Sequence, residues 1–74
     1  MAQEIVVEGN ISLRDLIKVI EHYQEIRIYN ISERKVKMIK EILKEKTLVY
    51  HEKIITKGIT RIDTEKAIIF IFKI

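Results

Sequence analysis

Few residues of this sequence combine a type and a spacing that could make or break bonds. Glu8 ends a short apolar run, Ile5-Val6-Val7, and is followed by Gly9. A carboxylate so placed could hold Mg²⁺, but that chemistry needs a second acidic cluster of Asp-x-Asp type, and Asp15 and Asp63 stand alone. His22 and His51 have no partner at a useful spacing, cysteine is absent, and no glycine-rich phosphate loop is present. The residues that remain are basic, and they sit beside serines. Arg14 follows Ser12, and Arg34 and Lys35 follow Ser32, each in what reads as the first turn of a helix. Basic side chains there oppose the helix dipole, so an anion explains them more readily than stability does. The expectation is a binding protein, not an enzyme, with no metal or cofactor.

The elements that must carry these residues are legible from periodicity. Ile26 and Ile28 alternate with Arg27 and Tyr29, as in a half-buried strand. Ser32 is a good N-cap, and Ile31 before it is placed to pack on Val36 as a hydrophobic staple. Val36, Ile39, Ile42 and Leu43 then form one apolar helical face ending near Lys46, with Met38 on its flank. Lys37, Lys40 and Lys44 fall on the opposite side within about 60° of arc. The same unit occurs earlier, because Asn10-Ile11-Ser12-Leu13-Arg14 matches Asn30-Ile31-Ser32-Glu33-Arg34. Ser12 caps a helix from about Leu13 to Tyr23, and Ile11 is placed to staple onto Leu16. Two copies are too few for a solenoid; one way of starting a helix after a strand is used twice.

After Lys46 the pattern becomes β-rich. Thr47 to Thr56 is followed by a turn signal at Lys57-Gly58, a short alternating stretch from Ile59 to Ile62, and a tight turn at Asp63 to Lys66 before Ala67 to Ile74. This reads as one long hairpin with a basic, polar tip region, Lys53 to Lys66. The last strand places Ile68, Phe70, Phe72 and Ile74 on one face and Ile69 and Ile71 on the other. Two helices cover only one face of a sheet, so Ile69 and Ile71 are expected at a twofold dimer interface. Strand-helix-strand-helix with a right-handed crossover makes the first two strands parallel. The expected fold is α+β: a two-layer β-α-β-α-β-β sandwich with a mixed sheet, both helices on one face and a C-terminal β-hairpin.

The 74 residues suit one small domain, residues 1–74, near the lower size limit for independent stability. Isoleucine dominates the apolar residues and a third of the chain is charged. Lys and Glu enrichment fits a protein from a hot environment, although an AT-rich genome would also favour Ile and Lys. Formal net charge is +3. Residues 1–24 hold two basic and four acidic side chains, residues 25–46 seven and four, and residues 47–74 five and three. The positive charge thus lies in the second helix and the C-terminal strands, which suits a polyanionic partner, with a solvated ion-paired helix as the plain alternative. No apolar run reaches membrane-spanning length and no signal peptide is visible, so a cytoplasmic location is expected.

The order of elements and the texture of Ile5-Val6-Val7-Glu8-Gly9, Glu25-Ile26-Arg27-Ile28 and Ala67-Ile68-Ile69-Phe70-Ile71-Phe72-Lys73 resemble the Alba (Sac10b) family of archaeal nucleic-acid-binding proteins. The resemblance covers nearly the whole chain as pattern and loop length, with few specific identities. It implies a homodimer, or a heterodimer with a related chain, that binds DNA or RNA without strong sequence preference and takes part in chromatin or RNA handling at the nucleoid. Family contacts come from the loops opening the helices and from hairpin arms. By that resemblance the contacts here would be Asn10, Ser12, Arg14, Ser32, Arg34, Lys35, Lys37, Lys57 and Arg61. The sequence departs from the family where a lysine pair is replaced by Asn10 and Ile11, and where an Arg-Gly-Arg-like turn is replaced by Asn30-Ile31-Ser32-Glu33-Arg34.

Other readings are weaker. Val6-Val7-Glu8-Gly9 also resembles the opening strand of Toprim-type nucleases and primases, without their second acidic cluster. A winged helix would need a separate turn-linked helix before the recognition helix, and Ser32 to Lys46 holds only one. A protein–protein adaptor on the same fold, without nucleic-acid binding, is the main alternative.

Overall fold

The computed structural model describes residues 3–74 and contains, in chain order, β1 (Glu4–Glu8), α1 (Leu13–His22), β2 (Glu25–Ile31), α2 (Glu33–Lys46), β3 (Tyr50–Thr56), β4 (Ile59–Thr64) and β5 (Ile68–Lys73). The five strands form one mixed sheet in the order β1-β2-β5-β4-β3. β1, β2 and β5 run parallel, while β4 is antiparallel to both β5 and β3.

The first half follows the periodicity closely. Ser12 and Ser32 are both N-caps in extended backbone, and each Oγ accepts from the amide three residues on, Asp15 at 3.1 Å and Lys35 at 3.3 Å. β2 runs further than its alternation suggests. Asn30 takes a left-handed φ of 55° and shifts the register between Tyr29 and Ile31. Asparagine tolerates that region better than most residues. The shift turns Ile31 away from the face of Tyr29 and into the core, where it lies fully buried in the same cluster as Val36.

The second half corrects the single long hairpin. Residues 53–66 are not a protruding tip: 53–56 complete β3, and Ile59–Thr64 fold back as β4 between β3 and β5. Two turns make this possible. Gly58 adopts φ 83° in the first. In the second, Thr64 Oγ1 accepts from the amides of Lys66 (3.2 Å) and Ala67 (3.0 Å). The order of elements is therefore β-α-β-α-β-β-β, with one strand more than the sequence pattern suggests.

Two cross-strand rows build the core. Ile5, Ile26, Ile69 and Ile62 align in one, and Val7, Ile28, Ile71 and Thr60 in the next. Leu16 and Ile20 of α1 and Val36, Ile39 and Leu43 of α2 belong to the same buried cluster. Ile69 and Ile71 are 0 % exposed, so their cover comes from within the chain. This overturns their assignment to a dimer interface. The half-buried residues of β5 are instead Ile68, Phe70 and Phe72.

Beyond the core, β3 is held by polar contacts to α2. Lys40 Nζ meets Glu52 Oε2 at 2.7 Å, Tyr50 Oη donates to Glu52 Oε1 at 2.9 Å, and Lys44 Nζ lies 5.3 Å from the centre of the Tyr50 ring. Burial and then the Glu52 carboxylate push the Tyr50 hydroxyl pKa up, while the Lys40 hydrogen bond holds Glu52 below the usual carboxylate range. The link from α2 to β3 is clamped by Glu65, whose carboxylate accepts from the amides of Leu48 (2.9 Å) and Val49 (3.1 Å).

Two outcomes follow from this packing. Ile71→Glu should abolish cooperative folding, because an unpaired carboxylate in this core costs on the order of 4 kcal/mol or more; a folded variant in a thermal melt followed by circular dichroism would contradict the core assignment. Glu65 is held below its ordinary pKa by the Leu48 amide first. Its clamp is thus fully formed above the ordinary glutamate pKa and is lost as pH falls through the lower folded value. The Leu48 and Val49 amide shifts in NMR should titrate together below the ordinary carboxylate range, and Glu65→Gln should remove that titration.

Candidate nucleic-acid interface

The parallel arrangement of β1, β2 and β5 decides where the helix-opening residues go. Glu8, Tyr29, Phe72, Ile59 and Thr56 form the last row across the sheet. Immediately beyond that row the chain leaves β1 through Gly9 to Ser12, leaves β2 through Asn30 to Ser32, and turns from β3 to β4 at Lys57-Gly58. Lys73, at the end of β5, lies there too, its amide donating to Gly58 O at 2.8 Å; Ile74 follows, with its amide on Ile31 O at 3.1 Å. Both helix N-termini, one turn and the end of β5 therefore share one edge of the sheet. Four inter-strand gaps make this edge about 19 Å long.

Gly9 makes the close approach possible. Its amide donates to Tyr29 O at 2.6 Å, and a Cβ on it would stand 2.4 Å from Asn30 O and from Ile31 Cα. No other residue type fits without moving one loop off the other. Asn30 Nδ2 adds a bond to Glu8 Oε2 at 3.2 Å. The most specific contact is made by Lys35. Its half-buried Nζ donates to Gly9 O at 2.8 Å and also to Ile11 O, so an ammonium from α2 fastens the loop that opens α1.

Of the residues expected at the site, Asn10, Ser12, Arg14, Ser32, Arg34 and Lys57 lie at this edge and are exposed. Arg14 and Arg34 occupy the first turns of α1 and α2, where unbonded N–H groups and the positive end of the dipole add to their charge. Lys35 is at the edge as well, but two of its three donors are taken by loop carbonyls, which makes it a positioning residue first. Lys37 lies further along α2, exposed and on the flank whose Lys40 and Lys44 reach β3. Those two lysines are thus partnered by β3 rather than free on an outer surface. Arg61 is not at the edge. It stands in mid-sheet, bonded to Asp63 Oδ1 at 2.8 Å, because the segment expected to be a hairpin arm is strand β4.

Sequence reasoning passed over Lys73, which alternation marks as a solvent position at the end of an apolar strand, and Arg27, which it marks as the polar half of β2. Among the described residues, no group of three or more His, Asp or Glu side chains stands where it could hold a metal ion. Among those same residues, no helix is long and apolar enough to cross a membrane.

Lys35→Met keeps the stem and removes the tie between the loops. Hydrogen bonds to a charged group are worth about 1.5–3 kcal/mol when buried and less here, so a loss of about 1 kcal/mol in urea unfolding is expected. Faster amide exchange should be confined to residues 9–12, and uniform loosening of the fold would contradict a local tie. Comparison of the chain with known protein families, characterised proteins and solved structures gives no match to any of them.

Proposed function

We propose that this chain is a non-enzymatic nucleic-acid-binding protein that grips phosphates along the edge formed by Ser12, Arg14, Ser32, Arg34, Lys57 and Lys73. The observation that supports it best is convergence. Two capped helix N-termini, two first-turn arginines, a lysine of the β3–β4 turn and a lysine at the end of β5 meet on one edge, where no hydrogen bond or ion pair among the described residues holds the arginines. A helix N-terminus alone binds anions weakly; two of them with four basic side chains suit a phosphate chain. Contacts of this kind carry no sequence information, so binding should depend little on sequence. The same reading extends to the layers. β1 to β2 and β2 to β5 step across the sheet in the same direction, and right-handed crossovers would then carry both helices over the isoleucine face, which supports the reading of a two-layer sandwich. The likeness to Alba proteins, with a chromatin or RNA-handling role at the nucleoid, agrees with this reading and rests on sequence pattern.

The expected self-association would use a different surface from Ile69 and Ile71. β3 ends the sheet, and its Ile54 and Ile55 are well exposed, as are Leu48 and Val49 just before it. A second copy of the chain, or a related one, would cover them. That patch is also what an adaptor would use, so it is the observation favouring the second reading.

The test is a salt titration of binding to a 20-base-pair duplex. Arg34→Ala with Lys57→Ala should lower the magnitude of the log–log salt slope by about 1.8, at about 0.9 per lost phosphate contact, and weaken all sequences alike. The control is Lys18→Ala with Lys66→Ala, which removes the same formal charge away from the edge. Equal losses from both pairs would show that only net charge matters, and no loss from either would favour the adaptor.

A further inference from the structure

The second face of the sheet carries an arrangement that phosphate binding at the edge does not use. One row crosses all five strands: Val6, Arg27, Phe70, Arg61 and Lys53. Phe70 is central in it, with Arg27 Cζ 5.4 Å and Arg61 Cζ 5.6 Å from its ring centre. Each guanidinium is pinned by one carboxylate two residues away, Arg27 Nη2 on Glu25 Oε1 at 2.9 Å and Arg61 Nε on Asp63 Oδ1 at 2.8 Å. Those bonds fix the planes and leave the other donors of each fork without a carboxylate partner. In the next row towards the edge, Tyr29 and Phe72 stack at 4.3 Å with 9° between their planes. Arg27, Arg61, Phe70, Tyr29 and Phe72 are all half-buried, held by the sheet yet open on one side.

Charge on this face is segregated. Its acids lie in the two outer rows, Glu4, Glu25 and Asp63 furthest from the phosphate edge and Glu8 beside Tyr29 at the edge, where it accepts from Asn30, whereas the Arg27–Arg61–Lys53 row between them contains no acid. A face selected only for solvation has no need to set two guanidinium groups against one ring. A second copy docked face to face about a twofold axis through Phe70 would set this cationic row against its own counterpart.

We propose that the second face is a stacking platform for the unpaired bases of single-stranded nucleic acid, with the phosphates following Lys53, Lys57 and Lys73. The proposal rests on the reading of the edge as a phosphate site and names its substrate class. Guanidinium planes and aromatic rings both stack bases with little regard to sequence. Rows two residues apart along the strands are about 6.7 Å apart, room for one unstacked base on each. A duplex hides its base faces inside its own stack and gains nothing from the platform.

The test measures fluorescence polarisation of labelled dT15, rU15 and a 15-base-pair duplex against wild type, Tyr29→Leu with Phe72→Leu, and Arg34→Ala with Lys57→Ala. The leucine pair changes no charge, so it separates stacking from electrostatics. The expected result is single-strand binding at least tenfold tighter than duplex binding, reduced roughly tenfold by the leucine pair with the salt slope unchanged. Preference between dT15 and rU15 tells DNA from RNA, and either supports the platform. Unchanged single-strand affinity in the leucine pair, with all probes weakened by the edge pair, overturns the platform and leaves the edge standing. A loss in the leucine pair with none in the edge pair supports the platform and removes the edge. Equal duplex and single-strand affinity overturns the platform, and no binding of any probe overturns both. If the leucine pair does not melt cooperatively, Phe70→Leu and amide shift mapping of the wild type with dT15 decide; shifts confined to residues 9–14 and 30–35 would overturn the platform.

Discussion

The crossing of Gly9 over Asn30 and Ile31 is the constraint on which the rest of the site depends. With 2.4 Å between a notional Cβ and both neighbours, the two loops touch backbone to backbone. That contact fixes where α1 and α2 begin and keeps both N-termini at the end of the same row of strands. Asn30 answers the crossing from the other side, since its left-handed conformation sends Ile31 into the core instead of out beside Tyr29. Lys35 then fastens the crossing from α2. An edge that gathers two helix starts is therefore a by-product of how one glycine lets two βα units close on each other.

The first half of the chain was readable because each level of local physics agrees with the next. The two Asn-Ile-Ser segments cap, the apolar positions repeat at helical spacing, and β2 alternates. Two features escaped. Between Thr56 and Ala67 the chain offers two turn signals around a stretch of only a few alternating residues, and such a stretch serves equally as a hairpin tip or a strand. What makes it a strand is tertiary: Ile62 and Thr60 are buried against β5. The second feature is the parity of β5. Both of its faces are apolar, so periodicity cannot say which one meets the helices. Packing decides it, since Ile69 and Ile71 join the buried cluster that also holds Leu16, Ile20, Val36, Ile39 and Leu43, while the rings of Phe70 and Phe72 find partners in Arg27, Arg61 and Tyr29.

The distribution of work among the lysines was likewise out of reach of sequence. A run of basic residues on α2 suggests a charged surface offered to a ligand. In the structure Lys35 bonds loop carbonyls, Lys40 bonds Glu52 and Lys44 covers Tyr50, each contact binding α2 to a neighbouring segment. Of these only Lys40–Glu52 is an ion pair, and exposed ion pairs contribute little individually, about 0–1 kcal/mol. Here they serve position more than stability, because β3 has few buried apolar contacts of its own. At the edge of the sheet, by contrast, Arg14, Arg34, Lys57 and Lys73 are exposed and make no such contact among the described residues.

The place of β5 in the sheet bears on how the chain reaches this structure during synthesis. The strand made last among the seven elements lies at the centre, between β2 and β4. Until residues 68–73 have emerged from the ribosome, β1-β2 and β3-β4 are separate two-stranded pieces, each too small to stand alone in water. Their isoleucine faces are exposed for all that time. Assembly must then close a parallel pairing between segments more than thirty residues apart in sequence, which is slow relative to local hairpin formation. A nascent chain of this design is thus open to capture by chaperones or by its neighbours until its final strand threads the gap between the two halves.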